Sequence, residues 1–279
     1  MELDDPLKPE FAYWNSYTRF SRQVRRQNRY VWGAEVTAFL DTVLGTVGKR
    51  EGILKEGAVF FRAQLGVDWQ ERKDDEGNWI GEDVWAHGSS RMMPLADRAK
   101  EGRANSVGIP VLYMGSCAET AVSEVRPWIG QEVSLSRCKL LRPLKTLDLT
   151  LGHGKSSYFS AGFGVFLDTV KPTAKEKEKA VWIDIDNAFS RPVRLTDDQA
   201  DYAPTQILAE LFRSHGYDAI GYKSQFGDDG DRKGYNIAVF NPDDVEIVTG
   251  APCRVNSIKV TFEQTGNEWF RNTAEQPLS

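Results

Sequence analysis

The sequence predicts an α+β fold, and three observations lead to that class. Helical periodicity dominates residues 11–56, where apolar residues recur at the spacing of one helix face. Short strand-like and helical segments then follow one another without the regular alternation of a βαβ chain. No internal repeat is present that would indicate a solenoid or a propeller. Helices and short strands in irregular order are typical of α+β domains.

Two helices are predicted in the N-terminal segment. Tyr13, Tyr17, Phe20 and Val24 recur at helical spacing and form one apolar stripe. A second helix, over about residues 34–47, repeats the pattern and ends where glycines accumulate. The first helix also carries five arginines with no acidic residue between them: Arg19, Arg22, Arg25, Arg26 and Arg29.

The elements expected after residue 57 are short and are separated by turn signals. Strands are predicted at 58–64, 111–114, 145–149, 218–224, 235–240 and 245–248. Helices are predicted at 118–126, where Pro127 ends the segment, and at 160–169 and 205–216. Residues 66–101 are interpreted as an inserted excursion with a turn at 74–78, and 171–180 as a solvated loop or helix end.

Composition limits the classes of function that need to be considered. With 279 residues, 41% of them hydrophobic, the chain can bury a substantial core. Its net charge of −5 gives it no general attraction to nucleic acid or anionic membranes. Three widely spaced cysteines and three histidines form no metal-ligand or disulfide pattern. The acidic N-terminus lacks an apolar core, and no apolar run reaches membrane-spanning length. We therefore expect a reduced, cytoplasmic protein.

Two glutamates on the helix predicted at 118–126 are candidate catalytic groups. Small and apolar residues cluster on one face of this helix, and Glu119 and Glu124 lie on its two flanks. A carboxylate at such a boundary is either solvated or lines a cleft at the edge of the core. The helical wheel does not choose between the two glutamates.

Other marked polar residues lie within or at the ends of predicted strands. Arg62 interrupts the apolar run Val-Phe-Phe, Tyr113 precedes a glycine near the end of its strand, and Ser224 ends the strand AIGYKS. Side chains at strand ends commonly meet in clefts. Taken singly, each residue also has an ordinary structural interpretation as an edge arginine, a half-buried tyrosine or a capping serine.

Taken in order, these segments resemble the RES domain family, which is named for an Arg, a Glu and a Ser. The matching pieces are FFRAQ, GRANSVGIPVLYMGSCAETAVSEVRP, AFSRPVR, DYAPTQILAELFRSHGYDAIGYKS and GYNIAVFNPDDVEIV. The family pattern selects Glu124, not Glu119, as its glutamate. The residues that occupy the matching positions are Arg62, Arg103, Tyr113, Glu124, Ser224 and Asn236. One departure is GRAN, where the family often has Gly-Arg-Trp-Asn.

The resemblance implies a fold related to the ADP-ribosyltransferases and an activity that destroys NAD+. Family members cleave NAD+ by phosphorolysis or hydrolysis, typically as toxins restrained by an antitoxin with a helix-turn-helix domain. The expected partners are therefore NAD+, inorganic phosphate as one acceptor, and an antitoxin or immunity protein; a homo-oligomer is left open. The implied organisation is an N-terminal helical extension (1–56), a catalytic domain (57–250) and a tail (251–279).

The chemistry of NAD+ cleavage fits these residue types. Nicotinamide leaves as a neutral molecule from a cationic linkage, so positive charge develops on the ribose and a carboxylate such as Glu124 can stabilise it. Arg62 and Arg103 suit the pyrophosphate, because a guanidinium binds phosphate oxygens in pairs. No GxGxxG is present, so NAD+ is expected as a substrate and not as a redox cofactor, and no metal is required.

The remaining candidates are expected to complete the NAD+ site. Tyr113 could stack on the nicotinamide or donate its hydroxyl, Ser224 could position the ribose or the acceptor, and Asn236 is a weaker candidate for the same wall. We expect the side chains of Arg62, Tyr113, Glu124 and Ser224 to converge on one cleft.

Two alternative functions are left open by the sequence. The first is ADP-ribosyl transfer to a protein or nucleic acid. The second is nucleic-acid binding through RFSRQVRRQNRYVW, which interleaves arginines with aromatic residues as single-strand grooves do.

Overall fold

The protein is described by a computed structural model that covers residues 9–95, 98–160, 171–191, 199–225, 234–260, 262 and 264–266. Its helices are α1 (Ser16–Arg26), α2 (Ala34–Thr46), α3 (Ser89–Met92), α4 (Ala118–Glu124), α5 (Ser157–Ser160), α6 (Ala174–Ser190) and α7 (Ala203–Ser214). Short 3₁₀ turns lie at Val47–Arg50, Gln199–Tyr202 and Pro242–Asp244. The strands are β1 (Glu51–Leu54), β2 (Val59–Leu65), β3 (Asp68–Lys73), β4 (Trp79–Trp85), β5 (Leu112–Gly115), β6 (Glu132–Leu140), β7 (Leu144–Leu149), β8 (Ala219–Lys223), β9 (Tyr235–Val239) and β10 (Val245–Arg254).

Eight of the strands form one mixed sheet in the order β1-β7-β8-β9-β5-β2-β6-β10. β7 and β8 are parallel, and the other neighbouring strands are antiparallel. β3 and β4 form a separate two-stranded hairpin within the predicted excursion. Helices and strands in this irregular order confirm the α+β class.

The two faces of the sheet bury different apolar clusters because side chains alternate along each strand. On one face, which we call the helical face, Ile220, Tyr222 and Ala238 pack with residues of α1, α2, α6 and α7. On the opposite face, Phe60 and Met114 belong to a smaller cluster. The N-terminal helices thus share a core with the sheet. The domain boundaries at residues 57 and 250 stay predictions.

One predicted element is wrong, and several observed strands were not predicted. Residues 171–180, interpreted as a loop or helix end, include the first two turns of α6. Thr173 and Glu176 form a capping box there, with Thr173 Oγ1 accepting from the Glu176 amide and the Glu176 carboxylate accepting from the Thr173 amide. Strands β1, β3, β4 and β6 were not predicted, and β1 lies in the segment 11–56 that was predicted to be helical. The predicted helix at 160–169 falls almost wholly outside the described residues, as does most of the loop at 225–234.

The arginine-rich helix α1 is packed against the rest of the chain. Tyr17, Phe20 and Val24 of its predicted stripe are buried, whereas Tyr13 is exposed. Arg19 Nε donates to Glu35 at 3.0 Å, and Arg25 forms an ion pair with Asp201. Two of the five arginines therefore serve intramolecular contacts. Nucleic-acid binding by this helix stays a prediction.

No helix in the part of the chain that the structure describes is both long and apolar enough to cross a membrane.

Candidate active site

Helix α4 lies so close to the sheet that two glycines are required beneath it. A Cβ atom added to Gly115 would lie 2.8 Å from the amide nitrogen of Ala121, and one added to Gly234 would lie 2.1 Å from Thr120 Oγ1. Cys117 caps the helix, with its Sγ accepting from the Thr120 amide at 3.5 Å. This close approach holds α4 against the sheet, with its last residue, Glu124, within hydrogen-bonding distance of Ser224 and Asn236.

The carboxylate of Glu124 accepts hydrogen bonds from two side chains, one just after β8 and one on β9. Ser224 Oγ, just after β8, donates to Glu124 Oε1 at 2.7 Å. Asn236 Nδ2, on β9, donates to the same oxygen at 2.6 Å. No described residue donates to Oε2. Glu119, the alternative from the helical wheel, is exposed and has no described partner.

Asn236 and Tyr222 are opposite each other in the register of β9 and β8, and both side chains lie on the helical face. Tyr222 is buried, and burial raises the pKa of its hydroxyl. Tyr113, Glu124 and Arg103 lie close enough to influence the pKa of this hydroxyl. Tyr222 is not among the residues predicted from the sequence, although period-2 alternation places it on the same face as Ser224.

Tyr113 uses its hydroxyl to hold the GRAN segment. The hydroxyl donates to Asn105 Oδ1 at 2.7 Å and accepts from the amide of Ala104 at 3.0 Å. Burial raises the pKa of Tyr113. Asn105 Nδ2 in turn donates to three main-chain carbonyls, which closes the turn on itself. The hydroxyl group of Tyr113 therefore already donates one hydrogen bond and accepts another within the protein, and is not free to bind a dinucleotide in the same way.

Arg103 links the GRAN segment to the C-terminal end of α6. Its Nη1 donates to the carbonyl of Phe189 at 2.7 Å, and its Nη2 donates to the carbonyl of Arg191. The guanidinium carbon lies 5.9 Å from the centre of the Tyr222 ring. The C-terminal carbonyls of a helix attract cations, so this contact stabilises the wall beside Tyr222. Three of the five N–H groups of Arg103 have no described acceptor.

Arg62 is placed differently from the other candidates. It lies two residues beyond Phe60 on β2, so its Cβ points to the face opposite the helical face. Its Nη1 donates to the main-chain carbonyl of Tyr113 at 2.9 Å. Its Nε is buried without a hydrogen-bond partner, and burial lowers the pKa of the guanidinium. Among the described contacts, Arg62 therefore reaches the site through the backbone of β5 and not through Glu124.

The structure thus brings together Glu124, Ser224 and Asn236 by direct hydrogen bonds. Tyr113 and Arg103 lie near Tyr222 on the same face of the sheet. The Arg62 side chain makes no described contact with Glu124 or Ser224. The catalytic and binding roles of these residues stay predictions.

The cysteines and histidines do not form a second kind of centre in the described part of the chain. Cys117, Cys138 and Cys253 are free thiols. No group of three or more His, Cys, Asp or Glu side chains is arranged there to hold a metal ion.

Comparisons with known proteins identify a matching family and similar solved structures. The sequence model of the RES domain family matches residues 82–257, which are more than half of the chain. No curated protein matches. A chain of the M. tuberculosis MbcT–MbcA toxin–antitoxin complex is similar at 13% identity and a TM-score of 0.39, over 73% of this chain and 87% of that chain. Because the family model covers most of the sheet together with Glu124, Ser224 and Asn236, the chain belongs to the RES domain family.

Proposed function

We propose that this protein cleaves the bond between nicotinamide and ribose in NAD+, with phosphate or water as the acceptor. The observation that carries the proposal is the carboxylate of Glu124, which Ser224 and Asn236 hold through one oxygen. Ser224 and Asn236 are 100 and 112 positions from Glu124 in the sequence. A carboxylate held in this way is suited to stabilise a developing positive charge.

The fixed orientation of Glu124 explains how it would assist the reaction. The nicotinamide–ribose linkage is already cationic, so departure of nicotinamide needs no proton and leaves an oxocarbenium-like ribose. Two donors fix Oε1, which presents Oε2 to the ribose ring or to one of its hydroxyls. A negative charge that is already oriented before the reaction avoids reorganisation at the transition state.

The dinucleotide contacts are assigned to residues around this carboxylate. Arg103 has N–H groups left for the pyrophosphate. Arg62 is assigned an indirect role, because it binds the main-chain carbonyl of Tyr113 from the opposite face of the sheet. Tyr113 would act through its ring, because its hydroxyl is engaged with Asn105 and Ala104.

The test is NAD+ consumption by the purified protein, in the presence and absence of inorganic phosphate, with product masses measured. Phosphorolysis yields ADP-ribose 1″-phosphate, hydrolysis yields ADP-ribose, and both release nicotinamide. We expect loss of NAD+ by the native protein and not by Glu124→Gln. NAD+ that stays intact under both conditions would contradict the proposal.

Family membership also supports a biological role for this activity. We infer that the protein acts as a toxin whose NAD+ consumption is restrained by an antitoxin or immunity protein. Induced expression should then arrest growth and lower cellular NAD+, whereas expression of Glu124→Gln at the same level should do neither. Growth arrest by both proteins would separate toxicity from the proposed chemistry.

A further inference from the structure

A cavity rich in basic residues lies at the β1–β7 edge of the sheet, against the N-terminal half of α6. Its volume is about 290 Å³, and it shares no residue with the candidate active site. The residues that line it come from the end of α2, the turn before β1, the segment after β7 and α6. They are Thr46, Lys49, Arg50, Leu151, Gly152, Lys155, Lys175, Glu178, Lys179, Trp182 and Ile183.

The wall of this cavity is held by a buried ion pair. Arg50 Nη1 donates to Asp186 Oδ1 at 2.7 Å, and the side chains are 10% and 0% exposed. Asp186 Oδ2 accepts from the amide of Gly152 at 2.7 Å. The Arg50 guanidinium lies 4.3 Å from the centre of the Trp182 ring, and Trp182 Nε1 donates to Thr46 Oγ1 at 3.1 Å. The wall is therefore fixed without any ligand.

Arg50 retains donors that these contacts do not use. Its Nη1 makes both described hydrogen bonds, one to Asp186 and one to the carbonyl of Asp148 at 3.0 Å. Neither Nε nor Nη2 has a described acceptor, although the residue is 9% exposed and lines the cavity. An arginine this deeply placed keeps its remaining N–H groups solvated or bound to an anion.

Lysines from three different segments surround the same opening. They are Lys49, Lys155, Lys175 and Lys179. Glu178 is the carboxylate among the lining residues, and it pairs with Lys49 at 3.3 Å. Lys175 and Lys179, one turn apart on α6, have no described carboxylate partner. The cavity is thus locally positive in a chain whose net charge is −5.

We propose that this cavity binds a small molecule that carries two or more phosphate groups. A multiply charged anion matches the excess of lysine and the spare donors of Arg50. Leu151 and Ile183 supply an apolar wall, and a cavity of about 290 Å³ has room for a small ligand, whereas a nucleic-acid backbone is bound along extended basic grooves. This site is independent of the proposed NAD+ chemistry.

The experiment is calorimetric titration of the full-length protein with inorganic triphosphate at fixed ionic strength. We expect saturable binding with one site per chain, weakened about tenfold or more in Lys175→Gln/Lys179→Gln. Both lysines are exposed, so the variant should fold, and its thermal melting should match that of the native protein. Glu124→Gln should bind triphosphate like the native protein.

The matched control removes the same charge elsewhere. Lys55→Gln/Lys139→Gln changes two exposed lysines outside the cavity and should leave the affinity unchanged. Equal weakening by both double variants would show diffuse attraction and overturn the proposal, as would the absence of saturable binding. Binding of a single-stranded oligonucleotide that depends on Lys175 and Lys179 but is not displaced by triphosphate would also overturn it.

Discussion

The two hydrogen bonds to Glu124 give a quantitative prediction about catalysis. Ser224→Ala and Asn236→Ala each remove one donor from Glu124 Oε1, at 2.7 and 2.6 Å respectively. A hydrogen bond to a charged group contributes about 1.5–3 kcal/mol. If that energy is lost in the transition state, kcat/KM for NAD+ falls by about 10- to 150-fold. Asn236 is buried and Ser224 is half-buried, so the asparagine variant should show the larger loss.

The coupling between the two variants tests whether they act through one carboxylate. Since both donors share Oε1, the double variant should fall to the level of Glu124→Gln and not to the product of the two single effects. The assay is the initial rate of NAD+ loss over a range of substrate concentrations. Ser123→Ala, on the same helix and without a described side-chain hydrogen bond, is the matched control.

A clear negative result would refute this reasoning. If both single variants kept kcat/KM within about twofold of the native value while Glu124→Gln was inactive, orientation of the carboxylate by these donors would be irrelevant to catalysis.

Two further predictions concern stability and thiol reactivity. Arg142 donates to Asp218 and Asp244 at 2.7 Å each, so Arg142→Met should lower the free energy of unfolding by about 1–3 kcal/mol in urea titrations. Hydrogen bonding to Arg142 lowers the pKa of Asp218, so this contribution is present above the ordinary aspartate pKa and the difference between the proteins should shrink as pH falls below it. Cys138 is fully buried and burial raises its pKa to about 11, so it should react with a thiol reagent only after unfolding, whereas the half-exposed Cys253 should react in the native protein.

The sequence predicted those elements whose pattern is local. The strands at β5, β8 and β9 and the helices α1, α2, α4 and α7 were all expected close to their observed positions. Helix α6 was missed because its first turns, AKEKEKA, are polar and exposed, and only the Thr173–Glu176 capping box marks its start. Strand β6 carries polar residues on positions that the sheet buries, such as Ser134 and Ser136, so its alternation is obscured.

The site was only partly accessible to sequence reasoning. Helical periodicity left Glu119 and Glu124 equivalent, and the family pattern selected Glu124, which the structure joins to Ser224 and Asn236. The contacts of Arg103 with the end of α6 join residues 86 and 88 positions apart. No local pattern encodes such a contact. The face on which Arg62 lies depends on the strand register, which the sequence did not specify.

The most direct test of the central claim compares NAD+ turnover by Glu124→Gln and Glu119→Gln. Both substitutions remove one carboxylate from the same short helix and keep its size, and both positions are exposed, so folding should be unaffected. We predict that Glu119→Gln retains native turnover while Glu124→Gln loses it. Equal activity of the two variants, or loss of activity in Glu119→Gln alone, would contradict the assignment of Glu124 as the catalytic carboxylate.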